Sequence, residues 1–243
     1  GAQAIVLDVK VGLGAFMKTL SEAQQLARLM VEIARKTGRK AVAYLSDMNQ
    51  PLGRTVGNAL ELREAIDTLQ NCGPKDFEFH CLEIASRMLV IGEQSPSMET
   101  ARVTVERALR NGDAWQKFLA WIEAQGGDLG MVLDAQKLPI GSLQIEIVAP
   151  VSGYIQQIHA EKVGLAAVML GAGRAKKGDP IDYGVGIEVY HKVGQIVQRD
   201  EPLFMVYANR EEHVHQVQAM LQEAVVVKEN PVEPLPHFYG VIE

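Results

Sequence analysis

Ala4-Ile-Val-Leu-Asp-Val-Lys-Val-Gly-Leu-Gly-Ala-Phe-Met17 decides how the rest of the chain is read. It opens as a short apolar run, Ala4 to Leu7. It then sets an acid and a base, Asp8 and Lys10, before two glycines, Gly12 and Gly14, and a Phe at 16. A buried strand ending in a polar, glycine-bearing loop is where open α/β sheets bind ligands. The glycines permit positive φ and close approach of the backbone to a ligand.

Working outward, Ser21-Glu-Ala-Gln24 reads as a capping box. Leu26, Leu29, Met30, Ile33 and Ala34 follow at helical spacing, and Gly38 stops the helix. Lys40 to Leu45 is a second apolar run. Strand, helix and strand in this order make a βαβ unit with parallel strands. Parallel strands share a carboxyl edge, so the Asp8–Phe16 and Asp47–Gly57 loops face one crevice. Asn58-Ala-Leu-Glu61 is read as a second capping box, opening a helix to Leu69. Pro74 to Ile91 reads as a largely buried helix carrying Phe77, Cys81, Leu82, Ile84, Met88 and Leu89. Ser97–Leu109 and a helix capped by Asp113 follow, the latter ended by Gly126-Gly127. From Ile145 the pattern changes to short strands, through Val193–Val197 to Pro202–Tyr207. A helix from Arg210 to Val227 and an extended, proline-spaced tail from Pro231 complete the reading.

Composition narrows the class. A hydrophobic content of 47% with 22% charged residues is that of a soluble globular protein. The net charge of -6, without a basic stripe, argues against nucleic acid as a partner. No apolar run approaches the roughly 20 residues of a membrane span, so no membrane partner is expected. Cys72 and Cys81 are too few for a disulfide framework, suit a cytoplasmic location and are expected as buried thiols. The chain enters an apolar strand by residue 4 without an initiator Met, which suggests a fragment.

Several motifs together resemble one family. Asp8-Val-Lys-Val-Gly-Leu-Gly-Ala-Phe-Met-Lys18, Ser46-Asp-Met-Asn-Gln-Pro-Leu-Gly53, Gly57-Asn-Ala-Leu-Glu61 and Leu170-Gly-Ala-Gly-Arg-Ala-Lys-Lys177 are similar, in the same order, to the pyrimidine-nucleoside phosphorylases, which include thymidine phosphorylase. The resemblance implies an α/β fold, with a parallel or mixed sheet and flanking helices. Residues 1–140 would form part of that domain. Residues 145–243 would form a β-rich α+β module. It implies phosphorolysis of pyrimidine nucleosides with inorganic phosphate as co-substrate, and a homodimer for the intact enzyme. Phe16 falls where the family packs an apolar side chain against the pyrimidine, and a planar base suits an aromatic ring. Lys10 has two open roles, orienting the loop or sensing phosphate charge.

A loop of backbone carbonyls followed by a helix carboxylate can chelate a hard cation through oxygen. In the family a potassium-type ion is held in this motif. By position its ligands here would be the carbonyls of Leu52 and Thr55 and the side chain of Glu64. Without the resemblance, Glu64 is a solvated helix residue beside Arg63. The family's Lys-His-Ser-Thr-Gly-Gly phosphate loop and its base-holding helix lie upstream of residue 1. No catalytic residue is therefore assigned, and the chain alone is expected to be inactive.

Other readings are weaker. Gly171–Gly178 invites a phosphate-cradle reading but lacks phosphate-loop spacing; the resemblance implies a structural hairpin near the active-site mouth instead. Residues 145–208 resemble the small β-rich modules of biotinyl and lipoyl carriers, but Lys162 and Lys192, which precede Val-Gly pairs, lack the carrier-type Met neighbours. His213 and His215 face apart on a helix. His80, His159, His191 and His237 have no partner at metal or triad spacing. A non-catalytic binding or assembly protein on this scaffold is the alternative. A relative of anthranilate phosphoribosyltransferase should lack the 145–208 module.

Overall fold

The computed structural model describes residues 2–174 and 176–243. Strand β1 (Ala4–Val11) and strand β2 (Lys40–Asp47) are parallel and in register from Ala4↔Lys40 to Val11↔Asp47, joined by helix α1 (Leu20–Lys36). The βαβ unit is thus as the sequence implies, but β1 runs four residues past Leu7. The reason is period-two alternation: Val9 and Val11 are buried, while Asp8 and Lys10 project to the opposite face. Helix α1 presents Ala23, Ala27, Val31 and Ala34 to Val9, Val11, Ala43 and Leu45. Three alanines on that face let the helix lie close to the strands.

Its cap differs from the expected one. Thr19 is the N-cap, its hydroxyl accepting from the Glu22 N–H while Glu22 reaches back to the Thr19 backbone. Ser21 already lies inside the helix.

A short strand β3 (Thr55–Val56) precedes α2 (Asn58–Leu69). The second capping box is also corrected. Gly57, at φ 148°, is the N-cap, and its N–H donates to Glu61 Oε1 at 2.9 Å. Asn58 instead donates to the Ala172 carbonyl at 2.7 Å. Helices α3 (Lys75–Ile91), α4 (Met98–Arg110), α5 (Asp113–Ala124) and α6 (Leu129–Leu133) follow. Gly112 at φ 86° caps α5, with Asp113 in its first turn.

The buried face of α3 is not the apolar one expected. Glu78, His80, Leu82 and Ser86 are buried, whereas Cys81 and Met88 are exposed. The polar members have partners, as buried polar groups must. Glu78 pairs with Arg110, and Ser86 donates to the Leu82 carbonyl at 2.6 Å. Both cysteines are free and exposed, which corrects their expected burial.

The remaining elements are β4 (Leu143–Val148), β5 (Gly153–Ile158), α7 (Ala160–Leu170), β6 (Gly186–Val189), β7 (Ile196–Val197), β8 (Pro202–Ala208), α8 (Glu211–Ala224), β9 (Val225–Lys228) and β10 (Phe238–Ile242). They form an antiparallel sheet β3-β6-β8-β4 and a smaller one, β7-β5-β9. Helix α7 lies in a stretch read as strands, although Val163, Ala166, Ala167 and Leu170 keep helical spacing and are buried. The helix expected to reach Val227 stops at Ala224, where Val225-Val-Val adopts the strand that β-branched residues favour.

Two strands tie the halves together. β3 leaves the Asp47–Gly57 loop to pair with β6, and the tail returns as β10, antiparallel to β2. The first sheet, β1-β2-β10, is therefore mixed. No helix among the described residues is long and apolar enough to cross a membrane.

Candidate active site

The two loops expected in one crevice are bonded to each other. The Met48 N–H donates to the Val11 carbonyl and the Gly14 N–H to the Met48 carbonyl, both at 2.7 Å, and the Leu13 N–H reaches Asn49 Oδ1 at 3.1 Å. Gly12 is at φ 120°, and a Cβ there would lie 2.5 Å from Asn49 Oδ1. This close approach is what the glycine permits. Asn49 and Tyr239 both bond Asp47, so β10 fixes the β2 loop from the far end of the chain. Phe16 is 99% exposed. An aromatic ring held in water by an ordered loop has apolar area to offer a ligand.

At the strand ends, Asp8 gathers three donors. Lys10 Nζ lies 2.7 Å and His80 Nε2 2.8 Å from Asp8 Oδ2, and the Ser46 hydroxyl donates to Asp8 Oδ1. Lys10 and Ser46 sit in register on β1 and β2, while His80 comes from α3 and stacks on Phe238. Burial pushes the Asp8 carboxyl up, but the His80, Lys10 and Ser46 hydrogen bonds and the Lys10 charge outweigh it and hold it well below the ordinary range. Asp8→Asn is expected to cost about 2 kcal/mol at neutral pH, because a charge-assisted cluster loses its acceptor. A depressed carboxyl stabilises above its unfolded pKa of about 4 and loses that contribution as pH falls below it. Urea melts of both proteins should therefore converge below about pH 4; a constant gap from pH 7 to 3 would contradict this.

The second loop is built around a buried acid. Glu64 is 8% exposed, and its Oε1 accepts the Arg54 N–H at 2.7 Å. Burial pushes its carboxyl up to about 7, against the Arg54 N–H and the Lys192 charge, which pull it down. Gly53, at φ 68°, lies against Glu64 Oε2 so closely that a Cβ would overlap it. Lys192 Nζ donates to the carbonyls of Pro51 (2.6 Å) and Gly53 and lies 2.9 Å from Asp76 Oδ2. The Arg54 carbonyl accepts from the Val189 N–H at 2.7 Å. Among the described residues no protein donor reaches the Leu52 carbonyl. The Thr55 hydroxyl is buried without a partner.

Gly14, Leu52, Thr55, Glu64, Phe77 and Ala160 line one open groove of about 470 Å³. A cavity of about 170 Å³ beside it is lined by Leu52, Asp76, His80 and Lys192, so the Asp8 cluster and the Glu64 loop are neighbours. The structure thus brings Leu52, Thr55 and Glu64 to the groove that the glycine loop borders.

Comparison with known proteins gives the chain a family. The model "Glycosyl transferase family, a/b domain" matches residues 1–115, and "Pyrimidine nucleoside phosphorylase C-terminal domain" matches residues 154–228. A pyrimidine-nucleoside phosphorylase of Geobacillus stearothermophilus is 48% identical over 242 residues, which is 100% of this chain and 56% of the relative. One from Bacillus subtilis is 48% identical over 87% of this chain and 49% of its own length, and one from Staphylococcus haemolyticus 45% over 96% and 54%. The chain belongs to the pyrimidine-nucleoside phosphorylase family. It spans about half the length of the curated relatives it matches.

Other candidate residues in the chain sort as follows from their contacts. Lys192 is no carrier lysine: its three ammonium donors are all committed, so it is not a free attachment point. His80 does have a partner, Asp8, which sequence spacing could not reveal across 72 positions. Gly171–Gly178 includes Ala175, outside the described residues, and its hairpin reading stays an expectation. Among the described residues no three His, Cys, Asp or Glu side chains group as a metal site. A donor set of carbonyls and one carboxylate lies outside that description. Within that set the Leu52 carbonyl has no protein donor among the described residues and the Glu64 acid is buried, which suits a hard cation; the buried Thr55 hydroxyl is not the atom expected to bind, which is the Thr55 carbonyl.

Proposed function

We propose that this chain supplies the α/β wall and the carboxyl-terminal module of a pyrimidine-nucleoside phosphorylase. In the reaction an oxygen of inorganic phosphate bonds to the anomeric carbon of a pyrimidine nucleoside or deoxynucleoside. The bond from that carbon to the base breaks, giving free base and (deoxy)ribose 1-phosphate. The observation that carries the reading is the groove where the glycine loop, through Gly14, meets Leu52, Thr55 and Glu64; Phe16 and Lys10 lie outside its lining. The relatives' names support it.

Roles follow from the chemistry of each group. Phe16 stacks on the pyrimidine and excludes water from it. Lys10, paired with Asp8, either orients the loop or turns its ammonium to phosphate or to a base gathering charge. Leu52, Thr55 and Glu64 hold a potassium-type ion. The ion supplies fixed positive charge that orders the loop. Phosphate and base anchors come from the relatives' amino-terminal part, so the chain alone is inactive and the intact protein is a cytoplasmic homodimer.

Phe16→Ala tests this in the chain joined to the amino-terminal part of the Geobacillus relative. Loss of one stacking contact, about 1.4 kcal/mol, should raise the nucleoside KM about tenfold and leave the melting temperature unchanged, since the ring is solvent-exposed. An unchanged KM would remove Phe16 from the base site.

A further inference from the structure

We propose that Lys192 is a positioning residue for the Gln50–Thr55 loop, an internal cation through which the carboxyl-terminal module sets the loop's geometry. Lys192 lies between β6 and β7, some 140 positions from the residues it holds. Its own turn is closed by Gln195, whose side chain accepts the Lys192 N–H at 2.8 Å and whose N–H returns to the Lys192 carbonyl at 3.1 Å. From that fixed turn the side chain, 20% exposed, reaches the carbonyls of Pro51 and Gly53 and the carboxylate of Asp76. Asp76 closes the circuit by accepting the Gly53 N–H at 3.1 Å, and the Val193 N–H binds Gln50 Oε1 at 2.9 Å.

The pattern of carbonyls gives this clamp a consequence. Lys192 takes the carbonyls on either side of Leu52, and β6 takes that of Arg54. The Leu52 carbonyl is passed over. The Pro51–Arg54 segment has no regular secondary structure of its own and includes a residue at positive φ, so its shape has to be imposed from outside. An ammonium with all three donors satisfied by two loop carbonyls and an acid fixes it at two points. Leu52, Thr55 and Glu64, the residues proposed above for the cation, line the groove, and this part of the inference rests on that reading.

Hydrogen exchange and cation titration separate the two. In the chain carrying Lys192→Met, exchange of the Gly53 and Arg54 amides should quicken at least tenfold while β5 and α8 keep their protection. Lys192→Gln, which retains a neutral donor and guards against a variant that does not fold, should give about threefold. Unchanged loop exchange in either variant, or an equal rise throughout the module, would overturn the proposal. The melting temperature is then followed against KCl, with tetramethylammonium chloride holding ionic strength constant. Half-saturation should move to at least tenfold higher KCl in Lys192→Met. An unmoved half-saturation would overturn the proposed effect on the site. If the unsubstituted chain and the chain joined to the relative's amino-terminal part both ignore KCl, the cation reading fails, and exchange alone decides the clamp.

Discussion

Gly53→Ala is expected to destabilise the chain by about 3 kcal/mol, the sum of two local costs. Gly53 is at φ 68°, where an L residue costs roughly 1–2 kcal/mol. The new Cβ would also overlap Glu64 Oε2, so Glu64 must move and leave the Arg54 N–H without its acceptor, at a cost of about 1–2 kcal/mol. For a chain of this size the melting temperature should fall by about 10 °C. Gly38→Ala is the control. Its φ of 71° is similar, but no atom lies within 4 Å of the added Cβ, so only the backbone cost of about 1 kcal/mol applies. Equal losses in the two variants would show that the Gly53–Glu64 contact does not hold the loop.

Glu64→Gln should act in the opposite direction in cation-free buffer. The folded carboxyl titrates at about 7, above its ordinary 4.5. Between those values the folded chain keeps a proton that the unfolded chain has lost, so stability falls as pH rises through the window. The loss approaches about 3 kcal/mol above pH 7, at roughly 1.4 kcal/mol per pKa unit. Gln keeps the oxygen that accepts the Arg54 N–H and has no charge to desolvate. The variant should therefore match the parent near pH 4.5 and exceed it by up to about 3 kcal/mol at pH 8, by urea denaturation in tetramethylammonium buffers. Added KCl should restore the parent at pH 8 and leave the variant unmoved. A variant less stable than the parent at pH 8 without KCl would contradict the buried-acid account.

How much of this was legible in the sequence depends on the range of each interaction. The βαβ unit was readable because Ala4–Leu7, the Leu26–Ala34 spacing and Lys40–Leu45 are local patterns. The shared crevice followed from topology alone. Thr19 is hard to pick out as the cap because Ser21 offers the same motif two residues later. Helix α7 was hidden by its setting among strands, although its 163–166–167–170 spacing was visible. Asp8 and Glu64 were named, but their environments were not. His80 reaches Asp8 from α3, and Lys192 reaches Pro51 from the far module. Neither contact leaves a mark in local spacing. The buried face of α3 misled for the same reason, since Glu78 and His80 are carried inward by distant partners, Arg110 and Asp8.

The most direct test of the whole account is phosphate-dependent release of uracil from uridine and thymine from thymidine. It is made with the chain alone and with the chain joined to the amino-terminal part of the Geobacillus relative. The account predicts release only from the joined protein, only with phosphate present, and with (deoxy)ribose 1-phosphate formed in equal amount. Release by the chain alone would contradict it, because a phosphate site would then have to exist within these residues. A folded joined protein that releases no base would contradict it equally, and would leave the scaffold as one for binding.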